Sequence, residues 1–153
     1  PTEPEPAGGN GYRITRDYYD LDGRAVDPGS VALGARLVAV VTVTPERNNE
    51  ARLMVEDPLP AGFEIESPNL LQGGDLQALD WLQLGDITTH TEFGTDRFRA
   101  AVDWRGAEPF RLGYILRAVS PGTFYHPAAS VEDMYRPAYR ARTGVGEVRI
   151  AAE

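Results

Sequence analysis

The chain has 153 residues, of which 42% are hydrophobic and 25% charged, with no cysteine and a formal net charge of -8. A chain of this length can bury the core of one domain, it has no stretch near the roughly 18 apolar residues that a membrane span needs, and its acidic surface argues against nucleic-acid binding. Without cysteine it can hold no disulfide, no thiolate metal site, and neither a cysteine nucleophile nor a thioester donor of its own.

The first eleven residues, PTEPEPAGGNG, are rich in proline, glutamate and glycine and offer almost nothing to a core. This composition predicts a flexible linker over 1–11, followed by a single domain over 12–153. The segment also lacks an initiating Met and both the positive and the apolar region of a signal peptide. We therefore expect an excised piece or a mature form.

The segment DLDGRAVDPG, residues 20–29, follows a predicted strand, YRITRDYY, and begins like a calcium-binding loop with Asp20, Asp22 and Gly23. The closing bidentate glutamate of such a loop is missing, and Pro28 lies inside the span. Aspartate and glycine are frequent in turns for backbone reasons. A turn between strands is therefore the favoured interpretation.

The next segments predict the interior of a β-sheet protein. ARLVAVVTVT, residues 35–44, is apolar on both faces and rich in valine, which is typical of a central strand covered on both sides. ARLMVED, residues 51–57, is expected to be a neighbouring strand after the turn-like PERNNE. One short helix is predicted in DLQALDWLQL, residues 75–84, where three leucines follow one another at a spacing of three.

The second half of the chain alternates apolar and polar residues. In RFRAAVDW, residues 97–104, Phe98, Ala100, Val102 and Trp104 share one face, so that a half-buried strand is expected to pair as a hairpin with the preceding DITTHTEF. PFRLGYILRAVS and GEVRI supply further strands. About seven or more strands without βαβ alternation predict an all-β fold, an antiparallel immunoglobulin-like sandwich.

Residues that could carry chemistry are scattered. The two histidines, His90 and His126, have no second histidine at ligand spacing, so we expect no metal site. No serine lies in a Gly-x-Ser-x-Gly elbow. Glu132 and Asp133 are adjacent, and neighbours in an extended segment point in opposite directions, so they form no acid/base pair. The sequence therefore predicts a chain that is not an enzyme and has no cofactor.

One segment, SVEDMYRPAYRA, residues 130–141, does not fit the strand pattern. Two acidic residues lead into Met134 and Tyr135, and an Arg-Pro break follows. Proline cannot donate to a sheet ladder and restricts the residue before it, so a loop is predicted. A loop that places Met134 beside Tyr135 either covers its own core or offers an apolar contact to something else.

Two long stretches resemble a known family. LMVEDPLPAGFEIESPNL, residues 53–70, and LRAVSPGTFYHPAASVEDMYRPAYRA, residues 116–141, look like the C-terminal macroglobulin-like (receptor-binding-like) domain of bacterial alpha-2-macroglobulins. The first stretch alone is weakly specific, because immunoglobulin-like repeat domains carry similar turns. RAVSPGTF followed by VEDMYRP is far more specific.

The resemblance implies a macroglobulin-like β-sandwich that is one domain of a protease-trapping inhibitor. In such inhibitors a protease cuts a bait region, the molecule rearranges, and an exposed thioester attaches to the attacker. The implied partners are the thioester domain and neighbouring macroglobulin-like domains of the parent chain, together with the target proteases. The implied location is the periplasm, where the parent is lipid-anchored to the inner membrane, while this domain itself does not insert.

The resemblance also gives the 130–141 loop a role as a hypothesis. Met134 and Tyr135 would project onto the thioester pocket of the neighbouring domain and exclude water until the inhibitor is triggered. A polar rim would surround that contact; its expected members are Glu132, Asp133, Arg136 and Tyr139. In the alternative, Met134 and Tyr135 fold back onto their own sandwich. The thioester itself would lie elsewhere in the parent chain, and some bacterial relatives lack it.

Two other functions remain open from the sequence. An immunoglobulin-like adhesion or spacer domain of a bacterial surface protein would explain the sandwich and DPLPAGFE, but gives no reason for VEDMYRP. A sugar-binding module would need aromatic side chains on an exposed face. Trp104 alternates with core residues and is expected to be buried.

Overall fold

A computed structural model describes residues 7–66, 88–93 and 96–152, and these ranges form thirteen β-strands and no helix. The strands are β1 (Gly8–Asn10), β2 (Tyr12–Tyr19), β3 (Val31–Ala32), β4 (Arg36–Pro45), β5 (Asn49–Pro58), β6 (Phe63–Ile65), β7 (Thr88–Phe93), β8 (Arg97–Gly106), β9 (Phe110–Ala118), β10 (Gly122–His126), β11 (Ser130–Asp133), β12 (Arg140–Arg142) and β13 (Gly146–Ala151). None of these residues forms a helix with the length and apolarity to cross a membrane. The helix predicted over 75–84 lies outside the described residues.

The strands form three sheets. A six-stranded sheet has the order β1-β12-β11-β5-β8-β7, a four-stranded sheet has the order β2-β4-β9-β6, and a three-stranded sheet has the order β10-β13-β3. Neighbouring strands are antiparallel except β13 and β3, which run parallel. The predicted all-β, antiparallel sandwich architecture is confirmed, and so is the hairpin of β7 and β8.

The two larger sheets face each other across one apolar core. β4 lies between β2 and β9, and its residues 37–41 are buried on both faces, as the valine-rich sequence predicted. Phe98 on β8 stacks on Tyr114 on β9, with ring centroids 4.9 Å apart. This contact joins the six-stranded sheet to the four-stranded one. Trp104, which was expected to be buried, is only partly buried and packs against Phe110.

Three local predictions need correction. β5 does not pair with β4: the 46–48 turn carries the chain into the other sheet, where β5 pairs with β8 and β11. The predicted linker over 1–11 includes β1, whose residues Gly8–Asn10 pair with β12. The loop predicted over 130–141 is shorter, because β11 occupies its first four residues and β12 begins at Arg140.

The acidic 20–29 segment is a turn, as expected. Asp20 Oδ1 accepts hydrogen bonds from the backbone nitrogens of Asp22 and Arg24, both at 2.9 Å, and Asp27 Oδ1 accepts one from Gly29 at 2.8 Å. The carboxylates therefore hold their own backbone. No group of three or more potential metal ligands is present among the described residues.

Candidate interface at the loop between strands β11 and β12

Residues 134–139 form a loop whose ends are fixed by backbone hydrogen bonds. The Asp133 nitrogen donates to the Tyr139 carbonyl at 3.0 Å, which closes the loop on itself. The Met134 nitrogen donates to the Arg52 carbonyl of β5 at 2.9 Å, and the Tyr139 nitrogen donates to Arg136 at 2.9 Å. The loop is thus held both internally and by the neighbouring strand.

The side chain of Asp133 shapes the loop from inside. This residue is fully buried, and its Oδ1 accepts hydrogen bonds from the backbone nitrogens of Tyr135 at 2.9 Å and Arg136 at 3.0 Å. Its other oxygen, Oδ2, has no hydrogen-bond partner among the described residues and lies 3.6 Å from Arg136 Nε. The sequence placed Asp133 on an exposed rim. That assignment is wrong for Asp133, because the carboxylate turns inward to satisfy the loop's own amides.

The side chains of Met134 and Tyr135 lie outside the core, on the surface of the domain. Their relative exposures are 45% and 76%. Among the residues that the structure describes, only two other large apolar side chains are exposed, Leu33 and Tyr125. The alternative in which both side chains fold back onto their own core is therefore not what the structure has. An exposed apolar pair on a fixed loop is typical of a contact surface.

Tyr139 closes the loop and joins it to two other segments. The guanidinium of Arg47, in the turn between β4 and β5, lies 4.0 Å from the ring centroid, and that of Arg136 lies 5.8 Å from it. Gly11 also approaches this ring: a Cβ on Gly11 would lie 2.8 Å from a ring carbon, and Gly11 has a φ of 82°. Glycine at this position satisfies both the left-handed backbone and the close approach.

The structure brings all six sequence-predicted site residues together at this loop, and only Asp133 among them is buried. Met134, Tyr135, Glu132 and Arg136 are exposed around the loop, and Tyr139 is partly buried beside it. Sequence reasoning missed Arg47 and Gly11, because no local pattern connects them with a loop that lies about 90 and about 125 residues further along the chain, respectively.

A buried polar cluster lies between the sheets, away from the loop. Arg16 Nη1 donates to Asp57 Oδ1 at 2.5 Å, and the Tyr114 hydroxyl donates to Asp57 Oδ2 at 2.5 Å. Arg16 also donates to the Pro127 carbonyl at 2.7 Å. Burial raises the pKa of Asp57, while the Arg16 guanidinium and the Tyr114 hydroxyl oppose that rise. The cluster ties β2, β5 and β9 together and leaves both carboxylate oxygens hydrogen-bonded.

His126 adjoins this cluster. Its Nε2 lies 2.8 Å from the Tyr18 hydroxyl, and burial together with the nearby Arg16 charge lowers the pKa of His126 to about 4. Both side chains line a cleft of about 380 Å³ beside the 143–146 segment. The other histidine, His90, lies on β7, and its side chain is outside the described residues.

Comparison with known proteins places these features in a family. The model of the bacterial alpha-2-macroglobulin MG10 domain matches residues 11–138. Alpha-2-macroglobulin of Escherichia coli (strain K12) is 39% identical over 153 residues, covering 94% of this chain, and that of Xylella fastidiosa (strain 9a5c) is 38% identical over 143 residues, covering 88%. The chain spans only 9% and 8% of the length of these two relatives.

A solved structure agrees with this result. The crystal structure of native Escherichia coli alpha-2-macroglobulin, spanning the residues from domain MG7 to the C-terminus, superimposes with a TM-score of 0.82 at 30% identity, over 98% of this chain and 25% of that one. The resemblance drawn from RAVSPGTF and VEDMYRP is therefore confirmed. The chain belongs to the bacterial alpha-2-macroglobulin family, within which it is a macroglobulin domain of the MG10 type.

Proposed function

We propose that this chain is a non-catalytic domain of a periplasmic, lipid-anchored, protease-trapping alpha-2-macroglobulin. In the parent chain its 134–139 loop packs on the thioester domain and shields the thioester until a protease cuts the bait region. One observation carries the proposal: Met134 and Tyr135 are 45% and 76% exposed on a loop that is fixed at both ends. In this proposal, the target proteases bind other parts of the parent chain.

The chemistry of the pair suits this task. A thioester is an acyl donor that water hydrolyses, so its survival depends on keeping water out. Tyr135 offers a broad apolar face with one polar tip, and the flexible thioether of Met134 fills irregular gaps. Because Asp133 already fixes the Tyr135 and Arg136 amides, little loop entropy is lost when the contact forms.

The experiment compares the full-length parent with its Met134→Ala/Tyr135→Ala variant, without protease. Free thiol and amine reactivity are titrated over time. Removing the two side chains should admit water and release thiol on the order of tenfold faster, the equivalent of about 1.4 kcal/mol of lost shielding. Tyr125→Ala is the matched control, because Tyr125 is 63% exposed on β10, away from the loop.

Tyr135→Phe refines the test. It keeps the apolar face and removes only the hydroxyl, so thiol release should stay near the wild-type rate. Equal rates for wild type and the double alanine variant, with both proteins folded to the same degree, would contradict the proposal. The pair would then be a surface feature without a shielding role.

A further inference from the structure

Two arginines share the ring of Tyr139. Arg47 lies 4.0 Å and Arg136 5.8 Å from its centroid, and the two come from different segments, the β4–β5 turn and the loop itself. A ring that holds a guanidinium by cation–π contact restricts where that side chain can go. Both positive charges are therefore held at the Tyr139 end of the loop that carries Met134 and Tyr135.

These two charges are poorly neutralised within the chain. Among the residues that the structure describes, several other arginines form ion pairs with a carboxylate at 2.6–3.2 Å; they are Arg36, Arg52, Arg97 and Arg105. The nearest carboxylate to Arg136 is the buried Asp133, at 3.6 Å. Arg47 is exposed and forms no ion pair with any described residue. The exposed Glu132 lies opposite Arg140 on β12, and opposite charges at such cross-strand positions attract each other.

Lack of an ion pair alone would not single out Arg47, since other exposed arginines such as Arg111 have none among the described residues either. The difference is that Arg47 and Arg136 are held together on one ring, where like charges repel each other. A carboxylate from outside would relieve that repulsion and could bind the guanidinium fork in two places. Side chains that are already restricted lose less entropy when they bind.

We propose that Arg47 and Arg136 bind carboxylates on the thioester domain of the parent chain, at the border of the apolar depression that receives Met134 and Tyr135. This inference rests on the proposed function and adds the chemistry of the partner surface. That surface is apolar at its centre and acidic along the side that faces Tyr139. The two arginines then set the register of the contact, while the apolar pair excludes water.

The test measures how strongly Met134 is protected from hydrogen peroxide in the intact parent, by mass spectrometry. A synthetic peptide of residues 130–141 gives the fully accessible rate. Arg47→Glu/Arg136→Glu should raise the Met134 oxidation rate on the order of tenfold, because the reversed charges repel the partner's carboxylates. The same should follow for wild type when NaCl rises from about 50 mM to about 500 mM, which screens the pairs.

Two controls separate charge from disruption of the loop. Arg47→Lys/Arg136→Lys keeps both charges and should preserve most of the protection. Arg111→Glu changes an exposed arginine on β9 and should have no effect. Protection of Met134 that survives both charge reversal and high salt would overturn this inference and leave the proposed function standing. Met134 oxidation at the peptide's rate in wild type would overturn both.

Discussion

At the scale of single residues, Asp133 shows how a loop can be kept rigid while its largest side chains face outward. The carboxylate is fully buried beneath the loop and accepts two backbone hydrogen bonds, so the Tyr135 and Arg136 amides need no water. Its Oδ2 gains no such bond from the described residues. The residue therefore acts chiefly through one oxygen.

This asymmetry predicts different effects for two substitutions. Asp133→Ala removes the acceptor for both amides and should lower the free energy of unfolding by about 1–3 kcal/mol. Asp133→Asn keeps an acceptor oxygen at the Oδ1 position and should cost about 1 kcal/mol or less. Urea unfolding of both variants measures the difference. Equal losses would mean that the negative charge, and not the acceptor, holds the loop.

The buried Arg16–Asp57 pair predicts a larger effect. Asp57→Ala leaves the Arg16 guanidinium, whose side chain is 4% exposed, without its carboxylate and should cost about 3–5 kcal/mol. Tyr114→Phe removes one hydrogen bond to that carboxylate and should cost about 1.5–3 kcal/mol. Urea unfolding measures both losses of unfolding free energy, and the loss for Asp57→Ala should be the larger. In the double variant Arg16→Met/Asp57→Leu most of the stability should return; a loss as large as that of Asp57→Ala would argue against an unpaired charge as the cause.

His126 predicts a dependence of stability on pH. Its pKa is lowered to about 4 in the folded chain, against about 6.5 when unfolded, so the unfolded chain binds the proton more readily. The contribution of His126 is complete above about pH 6.5 and is lost as the pH falls toward 4. Between about pH 7 and pH 4.5, wild type should lose more unfolding free energy than His126→Gln. Parallel curves for the two proteins would contradict this assignment.

At the scale of elements, the turn before β6 packs unusually close to another sheet. A Cβ on Gly62 would lie 2.4 Å from a ring carbon of Phe124 and 2.6 Å from the end of Ile150. β10 and β13 supply those two side chains. Because Gly62 has no side chain, the three-stranded sheet can pack closely against this turn.

Gly62→Ala should therefore lower the free energy of unfolding by about 1–3 kcal/mol, because the core must shift to admit a methyl group. Gly146→Ala is the matched control: nothing lies within 4 Å of its added Cβ, and its change should stay within about 0.5 kcal/mol. Thermal unfolding measures both. A neutral Gly62→Ala would show that Phe124 and Ile150 move aside freely.

The strands also show how far sequence patterns can predict the fold. Period-two alternation correctly predicted β8, and the doubly apolar run correctly predicted β4 as a central strand. The same patterns predicted β4 and β5 as neighbours, and they lie in different sheets. Alternation tells which face of a strand is buried, but both sheets of a sandwich bury one face, so it does not tell which sheet a strand joins. β1, Gly-Gly-Asn, has no apolar pattern at all and pairs through its backbone.

The candidate site, like the fold, was predictable from the sequence only in part. Met134 and Tyr135 are conspicuous because two large apolar side chains precede an Arg-Pro break, and the structure places both outside the core. The burial of Asp133 was not predictable, since an aspartate beside a loop can face either way. The contact of Arg47 with Tyr139 depends on the sandwich topology, which brings the β4–β5 turn next to a loop far along the chain.

At the scale of the whole molecule, folding and the proposed contact depend on different residues. The core is one cluster that includes Val131, fully buried on β11, three positions before Met134. Met134→Ala/Tyr135→Ala should change the free energy of unfolding of this chain by no more than about 1 kcal/mol. Val131→Ala should cost about 2 kcal/mol or more. Chemical denaturation tests both, and a large loss in the double variant would show that the loop supports the core after all.

The way in which the 134–139 loop is tied has a mechanical consequence. Both of its ends continue directly into paired strands, and its interior is hydrogen-bonded to Asp133, to the Arg52 carbonyl of β5 and, at the Ala138 carbonyl, to Asn10 Nδ2 of β1. These hydrogen bonds restrict movement of the loop relative to the sandwich. In the proposed function, Met134 and Tyr135 would therefore leave the partner's surface when the whole sandwich moves, rather than by a motion of the loop alone. Uncovering the thioester would then depend on the forces that hold the two domains together, and not on the local stability of the loop.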